Sequence, residues 1–499
     1  MSWLARPHVW LALALLVVAG VGAVLLADPA CTRVEDEFLQ VYHTRHEWQA
    51  AFDALSATCG VGLLTYDFEE YYTARGRWTL TALGVAGAVL YLLAVTQALR
   101  RLATAGTGPG RYIGDKTGGT EPGRYIEDVA SAPRGGRGAG ARIPSRTSQA
   151  AGAEHRPPHP VLVAAVFLVV LAVLLPLFWL AEWVGGVETS FSDAAWRASA
   201  AFASLGWTRD PQSGLDAWPV AVVAWIGALG WTTWVVVVPA LRRRCVPVRG
   251  LCVSVGGYVC FLLIAAGLMC ALESPRAGRR GIERDGKALS SQPPPTRYAQ
   301  SLVQTVCASG AGIPTAALSD RAVAEGTKVT LAVVVLVGGM AGAAGGGIKW
   351  PLLMAVLAGG VSALGRAGRN TPERSVSRYT LAGAACVLSM LALASVVALG
   401  LLLIENHTAS PYQPSPTFAD AFLDASSAVG GANLSSGLTA TVTSRNLITG
   451  MRQAANLYQY GMSWLMVAML VGRVLPLFVL CRIADAGRAS TRPASPPLL

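Results

Sequence analysis

The segment FADAFLDASSAVGGANLSSG, residues 418–437, decides the fold that the sequence predicts. It opens on an aromatic residue, continues for about ten moderately apolar residues and ends among small residues, with Asn433 followed by Leu434. A helix of this length is too short to cross a bilayer, which takes about 20 residues. It suits a segment that enters the membrane as a helix and returns as irregular backbone, which survives at that depth where protein buries it or where it lines water.

Three other segments repeat this pattern between long apolar runs, namely FDALSATCGVGLLT (52–65), FSDAAWRASAAFASLGWT (191–208) and YAQSLVQTVCASGAGIPT (298–315). Alignment on the residue before the bulky apolar residue brings together Gly62, Gly206, Gly312 and Asn433, preceded by Val61, Leu205, Ala311 and Ala432. Four such loops predict four helix–pore-loop–helix repeats around a central pore.

The aligned residues suit a filter for a monovalent cation, which is the one metal ion expected here. Gly permits a positive φ, and rings of carbonyl groups can replace the hydration shell of a potassium ion. The partly negative C-terminal ends of the short helices favour cations at the centre. Asn433 breaks the pattern of glycines, although Asn is enriched among non-Gly residues with positive φ. Its side chain would narrow one quadrant or add a ligand, so the choice between potassium and sodium stays open.

Composition predicts an all-α polytopic membrane protein. The chain is 53% hydrophobic and 14% charged, whereas soluble domains carry about 25% charged residues. Apolar runs predict eight transmembrane helices, at 9–27, 78–99, 161–181, 219–241, 250–272, 328–364, 379–404 and 461–481. Membrane lipid is therefore an expected partner, and the expected location is the cell membrane.

The net charge of +11 is distributed over loops, which argues against a nucleic-acid partner. Residues 100–156 carry ten Lys and Arg against five acidic residues, whereas residues 28–75 carry nine acidic residues against three Arg. The positive-inside rule then predicts that both termini are cytoplasmic. Residues 273–325 are outside in this topology despite their basic balance, because long loops translocate largely regardless of charge.

The glycine-rich stretch GGMAGAAGGGIKW, residues 338–350, predicts an interrupted helix. A continuous helix over 328–364 would be about 55 Å long, against a hydrocarbon core of about 30 Å. Each Gly costs about 1 kcal/mol in a helix, so the run should break it at membrane depth. The alternative is a small-residue packing face, Gly338-xxx-Gly342. Arg473 also lies in an apolar run, either as a functional charge or as a residue whose side chain reaches the membrane surface.

These motifs, together with VGRVLPLF at 471–478, resemble the Trk/Ktr/HKT superfamily of potassium transporters, over about 9–484 without the loops 100–158 and 273–297. The resemblance implies potassium, or sodium, as substrate, with no cofactor in this chain and no enzymatic activity. It implies a homodimer with a separate cytoplasmic ring of nucleotide-binding subunits. It also implies a gate beneath the filter, formed by Gly342, Gly345, Gly346, Gly347 and Arg473. Lys349 either belongs to this gate or marks the cytoplasmic side of the broken helix.

The predicted organisation has five parts: a first repeat at 1–99, a cytoplasmic linker at 100–158, a second repeat at 159–247, a third at 248–372 with an outer insertion at 273–297, and a fourth with a short tail at 373–499. Two other functions remain open. One is a family member with altered or lost conduction, which Asn433 and Arg209 suggest. The other is a polytopic membrane enzyme, although the six His residues lie outside the apolar runs.

Overall fold

The computed structural model of the chain describes residues 6–33, 36–64, 68–104, 159–185, 189–207, 217–243, 248–274, 292–315, 318, 323–364, 378–408, 416–436, 438 and 454–489. The predicted linker from residue 105 onward and Arg209 lie outside these ranges, as does most of the predicted outer insertion.

The described elements are helices, apart from an isolated antiparallel bridge between Thr32 and Tyr72 and a single turn of 3₁₀-helix at Pro29–Cys31. In chain order the α-helices are α1 (Pro7–Leu26), α2 (Asp36–Thr58), α3 (Phe68–Tyr71), α4 (Ala74–Thr104), α5 (Pro160–Val184), α6 (Phe191–Phe202), α7 (Trp218–Arg243), α8 (Val248–Leu272), α9 (Pro294–Gly310), α10 (Glu325–Val337), α11 (Trp350–Leu364), α12 (Arg378–Thr408), α13 (Phe418–Gly430) and α14 (Ala454–Ala489). The predicted all-α fold class is confirmed.

Six helices are long and apolar enough to cross a membrane: Pro7–Leu26, Ala74–Arg101, Pro160–Val184, Cys252–Leu272, Thr380–Ile404 and Tyr460–Asp485. They expose large apolar side chains such as Val24 (75% exposed) and Leu388 (67%). Such surface is costly in water and favourable in lipid.

The other two predicted spans are interrupted. Helix α7 contains Gly230 with a φ of 67° and a ψ of 166°, which bends it within the predicted span. The stretch 328–364 divides into α10 and α11, with non-helical backbone at 338–349. Because this backbone does not form a helix, the alternative of a helical packing face at Gly338 and Gly342 is wrong.

Four helices, α2, α6, α9 and α13, each pack between two flanking helices. Helix α2 packs against α1 and α4, α6 against α5 and α7, α9 against α8 and α10, and α13 against α12 and α14. Each also contacts a helix that flanks another member of the set: α2 contacts α14, α6 contacts α4, α9 contacts α7 and α13 contacts α10. These contacts close into a ring.

Two of these four helices match the predicted length and two exceed it. Helices α6 and α13 start at Phe191 and Phe418, where Ser190 and Thr417 accept hydrogen bonds from the backbone N–H groups of Asp193 and Asp420. Side chains that accept these N–H groups define a helix start. Helix α9 begins at Pro294, and α2 begins at Asp36, well before the aromatic residue Phe52. The aromatic residue alone therefore does not mark where such a helix begins.

Candidate functional site

The irregular backbone that follows these four helices converges on one region. We call these stretches the exit segments: residues 59–64, 203–207, 311–315 and 431–436. A side-chain carbon added to Gly62 would lie 1.7 Å from the Leu205 carbonyl oxygen, and one on Gly206 would lie 2.5 Å from that of Ala311. One on Gly312 would lie 2.1 Å from the Asn433 backbone nitrogen. The segments thus touch backbone to backbone, which leaves room for glycine and little else.

Backbone conformation supports the alignment of the four segments and corrects one expectation about it. Gly62, Gly206 and Gly312 have φ values of 77°, 66° and 69°. Asn433 is not left-handed, because Ser204 and Lys349 are the only non-Gly residues with positive φ in the described ranges. In the fourth segment Gly431 is left-handed instead, with a φ of 71°.

Gly431 occupies the position of Gly60 and Ser204 in the first two segments, two residues before the aligned one. Gly60 and Ser204 are also left-handed, with φ values of 64° and 67°. Asn433 therefore keeps its alignment with Gly62, Gly206 and Gly312, and a shifted register that moves Gly431 to that position is disfavoured.

The residues that precede the aligned position are buried, with exposed fractions of at most 4%: Val61, Leu205, Ala311 and Ala432. Three hydrogen bonds cross between segments or their helices. The Trp207 indole donates to the Gly62 carbonyl (2.8 Å), and the Asn433 side-chain amide donates to the Gly206 carbonyl (3.2 Å). The Ser204 hydroxyl donates to the Gly310 carbonyl (2.6 Å).

Buried polar side chains on the four short helices were missed by sequence reasoning. Asp53, Arg197 and Asp424 stand nine residues before the aligned position, and Gln304 stands eight before it. Asp424 accepts from the Ser436 backbone N–H (2.6 Å) and the Ser435 hydroxyl (2.8 Å). Gln304 accepts from the Thr315 backbone N–H (2.6 Å) and donates to the Ile313 carbonyl (3.1 Å). The offset of nine residues that Asp53, Arg197 and Asp424 share was the available sequence signal.

On the first two short helices the equivalent side chains bind neighbouring elements. Asp53 accepts a hydrogen bond from the Tyr72 hydroxyl (2.5 Å). Arg197 pairs with Glu182 of α5 (2.7 Å), and both side chains are almost fully buried. Removing one partner of such a pair leaves an uncompensated buried charge, so this contact ties α6 firmly to α5.

Residues 338–349, which we call the glycine loop, lie directly against the exit segments and their helices. A side-chain carbon on Gly345 would lie 2.9 Å from the Ser204 hydroxyl oxygen, and one on Gly346 would lie 2.7 Å from the Gly430 carbonyl oxygen. Gly342 and Gly347 are left-handed, with φ values of 81° and 83°. The loop also contacts α7 at its bend, where the Met340 N–H donates to the Ala228 carbonyl (2.8 Å).

Arg473 and Lys349 are both buried at this loop, with exposed fractions of 2% and 7%. The Arg473 guanidinium donates to the Ala344 carbonyl (2.5 Å), and a side-chain carbon on Gly60 would lie 3.0 Å from its Nη2. The Lys349 ammonium donates to the carbonyls of Ala343 (3.2 Å) and Gly345. The alternative in which the Arg473 side chain extends to the membrane surface is therefore wrong. The sequence predicted neither the left-handed φ of Lys349, 75°, nor its burial.

Two comparisons with known proteins found similarities, one in sequence and one in fold. Residues 268–487 match the family model described as TrkH, cation transport protein. The crystal structure of the potassium transporter TrkH from Vibrio parahaemolyticus is similar, with a TM-score of 0.60 over 94% of this chain and 82% of that chain, at 16% identity. Over residues 268–487, which are fewer than half of the chain, it resembles the TrkH cation transport proteins. No curated protein matches it.

The family match begins within α8 and ends within α14. It includes the glycine loop, the last two exit segments and Arg473. For the first two exit segments the likeness is one of fold alone, since the matched crystal structure is 16% identical. Because the matched family is one of cation transport proteins, the membrane-enzyme alternative is set aside.

Proposed function

We propose that this transporter conducts potassium down its electrochemical gradient, along a path lined by the exit segments and closed by the glycine loop. The family match over residues 268–487 supports cation transport. The choice of potassium, and the roles of individual residues, are proposals. Sodium remains the competing ion because of Asn433.

The observation that carries this proposal is the mutual contact of the exit segments around Gly62, Gly206, Gly312 and Asn433. Each segment follows the C-terminal end of a short helix, and these helices contact their neighbours in a closed ring. Four partly negative helix ends therefore face one region, which favours a cation there. Irregular backbone at membrane depth supplies carbonyl groups that can replace water around an ion. The four-repeat organisation of the chain is part of the same proposal.

The glycine loop is proposed as the gate because it lies against the exit segments and accepts hydrogen bonds from two buried basic side chains. Gly342, Gly345, Gly346 and Gly347 keep its backbone free of side chains, so the backbone can approach the exit segments closely. Arg473 and Lys349 bond to three consecutive carbonyls of this loop. A positive charge beside a cation path raises the barrier to ions. Movement of the loop away from the path, together with the Arg473 and Lys349 side chains, would therefore open it.

A second candidate, a family member with altered or lost conduction, is favoured by one contact. The Asn433 amide bonds to the carbonyl of Gly206, which belongs to a different exit segment. That carbonyl then has a protein donor where an ion would otherwise bind. Asn433 therefore acts either as a barrier that must rotate or as an added ligand.

The remaining features of the proposal follow the family resemblance. The chain is expected in the cell membrane with cytoplasmic N- and C-termini. It would assemble as a homodimer on a separate cytoplasmic ring of nucleotide-binding subunits and carry no cofactor of its own. The linker 100–158 is expected on the same side as this ring.

Potassium uptake in cells that lack their own uptake systems tests the function. The chain should restore growth at low potassium, and Gly312→Ala should abolish rescue, because the added carbon would lie 2.1 Å from the Asn433 nitrogen. Gly256→Ala is the matched control, since its added carbon would lie more than 4 Å from every described atom outside its two chain neighbours and the adjacent backbone of its own helix. Absence of ion flux from the wild-type chain, at wild-type expression and location, would refute conduction.

Asn433→Gly separates the two candidates. If the amide blocks the path, the variant should gain potassium flux relative to the wild type. If the amide is a ligand, the variant should change the ratio of potassium to sodium flux instead. Equal fluxes and equal ratios would show that Asn433 has no role in conduction.

A further inference from the structure

The ring of Tyr91 contacts both basic side chains that bond to the glycine loop, Lys349 and Arg473. These two charged side chains are called the cation pair below. Tyr91 lies on α4 and is 2% exposed. The Arg473 guanidinium carbon lies 3.9 Å from the ring centroid, and the Lys349 ammonium lies 5.6 Å from it. Arg473 comes from α14, whereas Lys349 ends the glycine loop. One ring therefore joins three parts of the chain that are distant in sequence.

Neither cation has a carboxylate partner among the described residues. Lys349 donates to the carbonyls of Ala343 and Gly345, and Arg473 donates to the carbonyl between them, at Ala344. The Nε and Nη1 atoms of Arg473 are buried and have no hydrogen-bond partner in the part of the chain that the structure describes. Two like charges at neighbouring carbonyls also repel each other. A buried pair of this kind needs another source of compensation.

The face of an aromatic ring supplies that compensation. It carries partial negative charge and attracts a cation within about 6 Å, most strongly where water is excluded. Both cations of the pair satisfy this distance to Tyr91. The ring is also rigid and held by a long helix, so it fixes where the cations can lie.

We propose that Tyr91 is a positioning residue for the gate, whose ring face keeps Lys349 and Arg473 on the carbonyls of residues 343–345. The proposal rests on the gating role of the glycine loop. Loss of the ring face weakens the hold on both cations, and the loop leaves its position against the exit segments more often.

The test compares side chains that keep or remove the ring face in the full-length chain reconstituted in liposomes. Tyr91→Phe keeps the face and should conduct as the wild type does. Tyr91→Leu removes it and should raise the flux of the unstimulated transporter by about tenfold, in line with a desolvated cation–π contact. Phenylalanine with one, two or three ring fluorines at position 91 should raise the flux stepwise, because each fluorine weakens the face with little change in volume.

The matched control is the same fluorine series at Phe261, whose ring stacks on Trp350 with centroids 5.3 Å apart. Among the described residues, no Lys or Arg side chain lies over the Phe261 ring. That series should leave the flux unchanged. If the wild type conducts, a flat series at position 91, or a Tyr91→Phe variant that behaves as Tyr91→Leu does, would overturn the proposal.

Hydrogen exchange of residues 338–349 in the same proteins separates this proposal from the proposed function. Faster exchange in Tyr91→Leu than in Tyr91→Phe would support the positioning role of Tyr91. If none of the proteins conducts as well, only the proposed conduction is refuted. Equal exchange in the two variants, with normal flux, refutes the positioning role alone.

Discussion

The first two exit segments are held mainly by aromatic rings, and the last two by polar side chains that bond directly to the backbone. Around the first pair, Phe68 stacks on Trp207 (centroids 4.7 Å apart) and contacts Trp196 (4.8 Å), and one indole bond reaches the Gly62 carbonyl. In the second pair, Gln304 and Asp424 bond to the segments themselves.

The comparison shows two ways to hold irregular backbone inside a membrane. Aromatic packing fills space and tolerates small shifts, because dispersion and apolar contact are not directional. Hydrogen bonds to buried N–H groups fix position but are costly to lose, since the orphaned group remains out of reach of water. We therefore expect the last two segments to be the more sensitive to single substitutions.

The largest effect is expected for Asp424→Ala. The change removes the acceptor for the buried Ser436 N–H and the Ser435 hydroxyl. We expect a loss of about 3 kcal/mol in stability, as for a buried hydrogen-bonded charge. Thermal unfolding of the detergent-purified protein at a fixed scan rate measures it. Asp424→Asn keeps one acceptor oxygen and should retain most of the stability. An Ala variant as stable as the wild type would contradict the expected difference between the two pairs.

A smaller effect is expected for Trp207→Phe. Phenylalanine keeps a ring that can stack on Phe68 but cannot donate to the Gly62 carbonyl. The loss should be about 1 kcal/mol, typical of one neutral hydrogen bond. The freed carbonyl should also change the ratio of potassium to sodium flux.

Trp196→Phe is the control for this change, because its indole bonds to Asp193 and not to an exit segment. It should leave the ion ratio unchanged. If Trp207→Phe destabilises the protein as much as Asp424→Ala does, the first two exit segments are not more tolerant of substitution than the last two.

The smallest effect concerns pH at the start of α13. Burial by itself would raise the pKa of Asp420, but hydrogen bonds from Lys328 and Thr417, together with the Lys328 charge, hold it below its ordinary value. A carboxyl group with a lowered pKa in the folded state contributes stability at neutral pH and loses that contribution as the pH falls through its folded pKa. The melting temperature should therefore decrease on acidification.

Asp420→Asn, which cannot titrate, should show a weaker decrease over the same acid range than the wild type. The 2.6 Å contact with Lys328 is the structural basis for this difference. Identical pH profiles for the two proteins would show that Asp420 does not contribute.

Much of the fold could be predicted from local patterns. Long apolar runs require helices in lipid, and the glycine-rich run at 338–347 is a poor helix former on any scale. The alignment of Gly62, Gly206 and Gly312 needed only four similar segments. The left-handed φ of Gly431 and Lys349 could not be predicted from these patterns, because the conformation of irregular backbone depends on what packs against it.

The polar partners were also beyond local reasoning. Asp424 looks like an ordinary acidic residue on an amphipathic helix until the chain folds back and presents the Ser436 N–H to it. Tyr91 lies in an apolar run and resembles any buried aromatic residue. Its contacts with Lys349 and Arg473 join residues that are hundreds of positions apart.

The sequence by itself determined that this protein is an all-helical membrane protein with an interrupted span, because hydrophobicity and glycine content act locally along the chain. Only the tertiary structure decided which carbonyls accept from Trp207, Asn433, Lys349 and Arg473. Hydrogen bonds and cation–π contacts depend on distances of a few ångströms between residues from different helices, and those distances exist only once the helices have packed.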